Sequence, residues 1–175
     1  MVVKIPVPPC ALTIRLLDAS GNSIASGSTV NLTALGVDTL KYSLMIVNEE
    51  QDTALLPRFH DPLVDRDYAS LVLVQLEGKA VIVDWDIAYT SGPTTKAYYA
   101  LLPDLAALYD PKTSTVTPGV FTKTMTIDCS AMASGDTSTL AINAYLDASI
   151  EYIKGYQTVN TQAVALASFS LTIVK

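Results

Sequence analysis

Apolar residues recur at every second position along most of this chain, the period of a strand with one buried face. In LTIRLL (12–17), Leu12, Ile14 and Leu16 share a face. LKYSLMIV (40–47) aligns Leu40, Tyr42, Leu44 and Ile46, and GVFTKTMTID (119–128) sets Phe121, Met125 and Ile127 among threonines. The C-terminal stretch 162–175 groups Ala167, Phe169, Leu171 and Ile173, and KAYYALL (96–102) is a shorter run. STVNLTAL (28–35) alternates Val30 and Leu32 with Thr29, Asn31 and Thr33, so it too reads as a strand. Segment 139–152 admits a helix, but Leu140, Ile142, Ala144, Leu146, Ala148, Ile150 and Tyr152 alternate throughout, which favours a long or bent strand. PDLAALYD (103–110) reads as a single helical turn with Pro103 near its start.

Turn chemistry separates these runs. DASGNS (18–23) is a dense turn signal between the first two. In SLVLVQLEGKAVIVDWDIAY (70–89), Gly78-Lys79 divides two alternating runs, and Gly at the first central position suits a type II′ hairpin. That hairpin sets Val72, Val74 and Leu76 against Val81, Val83 and Trp85 as the core face. Its other face joins Leu71, Leu73 and Ile82 to Asp84 and Asp86. Three aliphatics on that face predict a covered surface rather than a wet one, with the two carboxylates partnered there by cationic groups, backbone N–H groups or a calcium ion.

Eight or nine strands, almost no helix and no internal repeat predict an all-β, two-sheet antiparallel sandwich, a single jelly roll of about eight strands. The 175 residues are read as one domain, 1–175, with 1–10 as a proline-rich N-terminal arm. The stretch 48–69 breaks the alternation for some twenty residues, and a loop of that length in a compact domain is usually functional or interfacial.

Composition narrows the function classes. Half the residues are hydrophobic and only 16% are charged, dry for a soluble monomer and suggestive of a surface covered by partners. Net charge is −6, and the 11 Lys and Arg never cluster, so no basic stripe for nucleic acid or anionic lipid exists. MVVKIPVPPC lacks the apolar stretch of a signal peptide, and no run approaches a membrane span. Cys10 and Cys129 read as small buried hydrophobes, with a Cys10–Cys129 bridge or an inter-chain disulfide as alternatives. Sparse Asn, Gln, Cys and Met lean towards a thermophilic source.

Candidate chemistry is thin. His60, the single histidine, lies near Asp61, Asp65 and Asp67, a conceivable metal site, but Arg58 and Arg66 can pair with those aspartates in a solvated loop. No Gly-x-Ser-x-Gly elbow is present, and a cupin-type metal site would need several histidines. Asp84 and Asp86 stand side by side on one strand, whereas glycosidase acids flank the scissile bond. The sequence therefore predicts no catalytic, cofactor-binding or metal residues and no enzyme. Asn31-Leu32-Thr33 is a glycosylation sequon, relevant only to a secreted protein and placed mid-strand.

In the arm, Pro6, Pro8 and Pro9 fix an extended course and remove ladder donors. It is either a loose terminus or an element exchanged between subunits, with Val2, Val3, Ile5 and Val7 supplying the buried groups. Taken whole, the succession LTIRLLDASGNS, LKYSLMIV, LVLVQLEGKAVIVDWDIAY and SFSLTIVK, with the size, the initiator Met and the composition, resembles the small major capsid proteins of membrane-containing icosahedral Thermus phages and related archaeal viruses. The resemblance implies a jelly-roll virion subunit, made in the host cytoplasm, that self-associates as a homodimer or higher and assembles with a second coat protein. It also implies a shell lying over an internal membrane without insertion, and no direct nucleic-acid binding. The alternatives are an extracellular fibre or surface-layer subunit assembling by strand donation, and a carbohydrate-binding sandwich with exposed co-facial aromatics.

Overall fold

The computed structural model of the chain describes residues 12–49, 59–61, 66–91, 96–101, 103, 108–110, 112–153, 156–160 and 167–175, with backbone alone for 59–61, 66–71, 91, 108–109, 146–153 and 156–160. In chain order the elements begin with β1 (Leu12–Leu17), β2 (Ser23–Ile24), β3 (Ser28–Asn31), α1 (Leu32–Leu35), β4 (Thr39–Asn48), β5 (Phe59–Asp61), β6 (Arg66–Glu77) and β7 (Val81–Ile82). They continue with β8 (Tyr89–Ser91), β9 (Lys96–Leu101), β10 (Leu108–Asp110), β11 (Thr115–Thr117), β12 (Gly119–Asp128), β13 (Thr137–Ile153), β14 (Tyr156–Asn160) and β15 (Ala167–Val174).

Two sheets form the body. One has the order β2-β1-β4-β12-β7; the other runs β3-β15-β13-β6-β9-β8, with β14 added to β13 and β5 to β6. All pairs are antiparallel except β3–β15. The chain alternates between the sheets along most of its length, and β10 and β11 pair as a separate ribbon. The chain is an all-β sandwich of two mostly antiparallel sheets.

Alternation decides which side chains meet between the sheets. Leu40, Tyr42, Leu44 and Ile46 of β4 are buried, as are Met125 and Ile127 of β12 and Leu16 of β1. Val72, Val74, Leu76, Tyr99, Leu140, Ile142, Phe169, Leu171 and Ile173 face them from the other sheet. Each large aliphatic so buried contributes roughly 1.5–3 kcal/mol. Lys123 shares the inward parity of β12 but is only half-buried, with its ammonium 5.3 Å from the Trp85 ring centroid. Tyr99, fully buried on β9, crosses the sandwich: its hydroxyl accepts the Ile82 N–H at 3.2 Å and its ring meets Trp85 edge-on at 6.1 Å.

The long 139–152 run is indeed one strand, part of β13, and a register shift against β6 between Tyr145 and Ala148 lets it bend. Beyond that shift both central strands change partners, β13 from β15 to β14 and β6 from β9 to β5.

Four expectations need correction. The 70–89 segment is not a hairpin: β6 pairs with β13 and β9, while β7 crosses to the other sheet and pairs with β12. Gly78 makes the crossing at φ +114°, where an added Cβ would meet Ser138 Oγ and lie 2.8 Å from the Thr137 carbonyl. Ser138, fully buried, then takes the Ala80 N–H on its hydroxyl at 3.1 Å. Consequently Ile82, not Val81 or Val83, faces inward beside Trp85.

The strand expected over 28–35 stops at Asn31. The Asn31 side chain caps the turn of α1 by accepting the Ala34 N–H, and Gly36 closes it in the left-handed region at φ +67°. Within 103–110, residues 108–110 are strand β10 rather than helix, and 104–107 lie outside the described residues. The irregular stretch 48–69 contains strand after all: Phe59–Asp61 pairs with residues 66–68, opening β6 early. Strands number fifteen among the described residues, because pairings of two or three residues are too short to carry a period.

Candidate functional site

The tryptophan segment completes a sheet edge. β7 pairs with β12 only at Ile127 and Asp128. Past it the chain leaves strand geometry, yet the ladder continues: Val83 N–H donates to the Thr126 carbonyl at 3.0 Å, and Thr126 N–H donates to Asp84 Oδ1 at 2.9 Å. Trp85 Nε1–H donates to the Thr124 carbonyl at 2.8 Å. Side chains of Asp84 and Trp85 thus stand in for the strand that has ended. Asp86 is exposed, and the expected face shared with Leu71, Leu73 and Ile82 does not form, since Ile82 is buried against β12. Exposed Val81, Val83 and Ile87 flank the two carboxylates instead.

The opposite side of β4 is left open among the described residues. Thr126 lies opposite Lys41 and directs both its N–H and its carbonyl toward β7, while Asp38 accepts the Cys129 N–H. Peptide groups alternate sides along an antiparallel strand, so Thr39 and Lys41 direct theirs away from β12. Their neighbour there would be β1, but its ladder ends at Leu17, opposite Ser43. Asp18 turns the chain back, accepting the N–H groups of Ser20 and Asn22, each at 2.9 Å. Those bonds, Asn22 foremost, hold the Asp18 carboxyl below its usual range. Among the described residues nothing pairs with the N–H and carbonyl groups of Thr39 and Lys41.

Beside this edge lies a groove of about 470 Å³. One wall is residues 39–42 of β4; the other is Thr29, Val30 and Asn31 of β3, which among the described residues has β15 as its single ladder neighbour. Ile24, the turn residues Asp18 and Ala19, and α1, with Ala34 and Leu35, complete it. Leu35 is 59% exposed and Val37, just beyond, 40%. Tyr42 lines this groove and the adjoining hollow of about 250 Å³ next to β12. Only 7% exposed, Tyr42 has no hydrogen bond from its hydroxyl to any described residue. Burial, reinforced by Cys129 and Asp18, pushes its phenol up to about 12.

Cys129 is a fully buried free thiol, as the reading of small buried hydrophobes expected; Cys10 lies outside the described residues. Burial, then the Asp128 carboxylate, pushes the Cys129 thiol up to about 11, with Lys175 opposing and Asp38 adding to the rise. A thiol so placed is inert. Asp38 pairs with Lys175 beside it, and Asp136 with Lys79 at 2.8 Å.

Of the His60 group, the backbone of His60, Asp61, Arg66 and Asp67 falls in the β5–β6 pairing, with His60 opposite Asp67; Arg58, Asp65 and the side chains lie outside the described residues. No cluster of three potential metal ligands occurs among the described residues. No described helix is long and apolar enough to cross a membrane. The arm, residues 2–9, also lies outside the described residues.

Tyr89 and Tyr98 stack on the outer face at 4.3 Å, with planes 11° apart. Paired across adjacent strands β8 and β9, the rings turn their faces to each other, unlike the flat platform on which a sugar stacks. The α1 turn was legible in sequence as Asn31 before Leu32 and Gly36 just after Leu35. The open edge had no such signal, because it consists of a partner that stops short. No protein-family model, curated protein or solved structure matches this chain.

Proposed function

We propose that this protein is a structural subunit of an icosahedral virion shell, a single jelly-roll capsid protein that self-associates and assembles with a second coat protein. The observation that carries this reading is the β4 edge, unpaired among the described residues, that opens onto an apolar groove. A sheet edge left bare beside exposed aliphatics is a pairing surface, and a monomer at work in solution would blunt it. The alternation of the chain between two sheets is shared with jelly rolls. In this reading copies associate through exchange of the N-terminal arm, and repetition of weak contacts makes the closed shell strong. The net charge of −6 suits a coat separated from the genome by an internal membrane, near which it lies without insertion and without touching nucleic acid.

Negative-stain microscopy of the purified protein, alone and mixed with the products of neighbouring genes, tests it. Closed shells or capsomer-sized particles are expected. Long filaments would instead select the fibre or surface-layer reading, and a strict monomer that binds an immobilised glycan would overturn both in favour of a carbohydrate-binding sandwich.

A further inference from the structure

We infer that the groove between β4 and β3 is the receptor for the N-terminal arm of a second copy of this chain, with residues Val2–Lys4 adding as a short antiparallel strand to the Thr39–Lys41 edge. The inference rests on the arm-exchange reading above and gives the arm its acceptor.

The register follows from which groups are free. Thr39 and Lys41 offer N–H and carbonyl groups two residues apart, so the incoming strand must offer the same spacing. Val2 and Lys4 do so, and Pro6, the next residue of that parity, has no N–H to extend the ladder. Directly opposed residues share a face. Val2 opposite Lys41 and Lys4 opposite Thr39 therefore point outward, where the two β4 residues are exposed. Val3 then lies opposite Leu40 and points into the groove with Ile5 following on the same face, toward Ile24, Val30 and Leu35. Apolar residues enter the apolar side and the lysine stays in water.

Chain length says whose arm it is. The arm joins β1 at Leu12, opposite Asn48, whereas Lys4 would sit opposite Thr39, nine residues along β4. That offset is roughly 30 Å. The eight steps from Lys4 to Leu12 span roughly 29 Å at full extension and would first have to reverse direction, because an arm antiparallel to β4 runs the same way as β1. The chain's own arm falls short, and a second copy's does not.

Cysteine trapping in the full-length protein tests both parts. In a Cys10→Ser background, Lys4→Cys and Thr39→Cys would stand as a directly opposed pair with Cα atoms about 5.5 Å apart, within disulfide range. Oxidising a mixture of the two single variants is expected to give a reducible dimer of twice the 18.7 kDa chain mass, and Lys4→Cys mixed with Thr33→Cys to give none. In parallel, Ile5→Asp and the rim variant Leu35→Asp should each weaken self-association at least tenfold by sedimentation, with unchanged circular dichroism. If Ile5→Asp dissociates the protein but no specific cross-link forms and Leu35→Asp has no effect, arm exchange stands and this groove is not its receptor. A Lys4→Cys, Thr39→Cys double variant that oxidises only within one chain would also overturn the inference. If none of the variants changes sedimentation, arm exchange itself falls.

Discussion

The five-stranded sheet ends in opposite ways on its two sides. Beside β12, the ladder is carried past the end of β7 by Val83 N–H, the Asp84 carboxylate and the Trp85 indole, which occupy Thr126 and Thr124. Beside β4, β1 stops at Leu17 and leaves Thr39 and Lys41 without a ladder partner among the described residues, at the mouth of a groove. Unpaired edges invite pairing with other chains, and proteins close those they do not use. A sequence that places its single tryptophan where it finishes one edge, while the peptide groups of Thr39 and Lys41 find no partner among the described residues, distinguishes an edge for folding from an edge for association.

Removing the closure should be the most damaging change. Trp85 is 7% exposed, packs edge-on against Tyr99 and holds the Lys123 ammonium over its ring. Trp85→Ala should cost about 4 kcal/mol in urea unfolding. Trp85→Phe, which keeps a ring but strands the Thr124 carbonyl, should cost about 2 kcal/mol. Gly78→Ala should follow at about 3 kcal/mol, from a left-handed backbone and a Cβ driven into the 137–138 backbone. A Gly78→Ala protein as stable as the parent would show that the crossing has room for a Cβ. Asp84→Ala should cost only about 1 kcal/mol, the loss of one bond at the sheet margin, while Asp84→Asn, which keeps an acceptor for Thr126 N–H, should be near neutral.

The same contrast explains what could be read from the chain. Strands β4, β12, β13 and β15 were legible because each has one buried and one wetter face, so period and burial agree at Leu44, Met125, Ile142 and Leu171. Gly78 was correctly a turn, but a glycine announces a change of direction and not the sheet to which the chain returns. That is decided by Ser138, sixty residues away in sequence, whose backbone the turn must pass closely. The parity of 81–85 misled for a related reason. Alternation assumes continuous strand, and Asp84 breaks it by bonding through its side chain, so Trp85 is buried as expected while Val81 and Val83 are not. The open edge was invisible because no residue type marks the end of a neighbour.

Tyr42 gives the smallest effect at neutral pH and the sharpest test of the open side. Its hydroxyl is buried without a bond to the described residues, so Tyr42→Phe should leave stability at pH 7 within about 0.5 kcal/mol or raise it slightly. In the unfolded chain a tyrosine ionises near 10, whereas here the phenol is held up to about 12. Between those values the unfolded state has lost a proton that the folded state keeps, so stability falls as pH rises. Cys129, held up to about 11, adds an earlier loss that begins near pH 9. Urea midpoints of the parent should therefore decline from pH 9 through 12. Tyr42→Phe should flatten the decline between pH 10 and 12, and Cys129→Ala that between pH 9 and 11. If an arm from a second copy fills that groove, its apolar side chains meet the Tyr42 wall. The phenylalanine variant keeps the ring and should then sediment as the parent does, whereas weaker self-association would show that the hydroxyl itself meets the second copy.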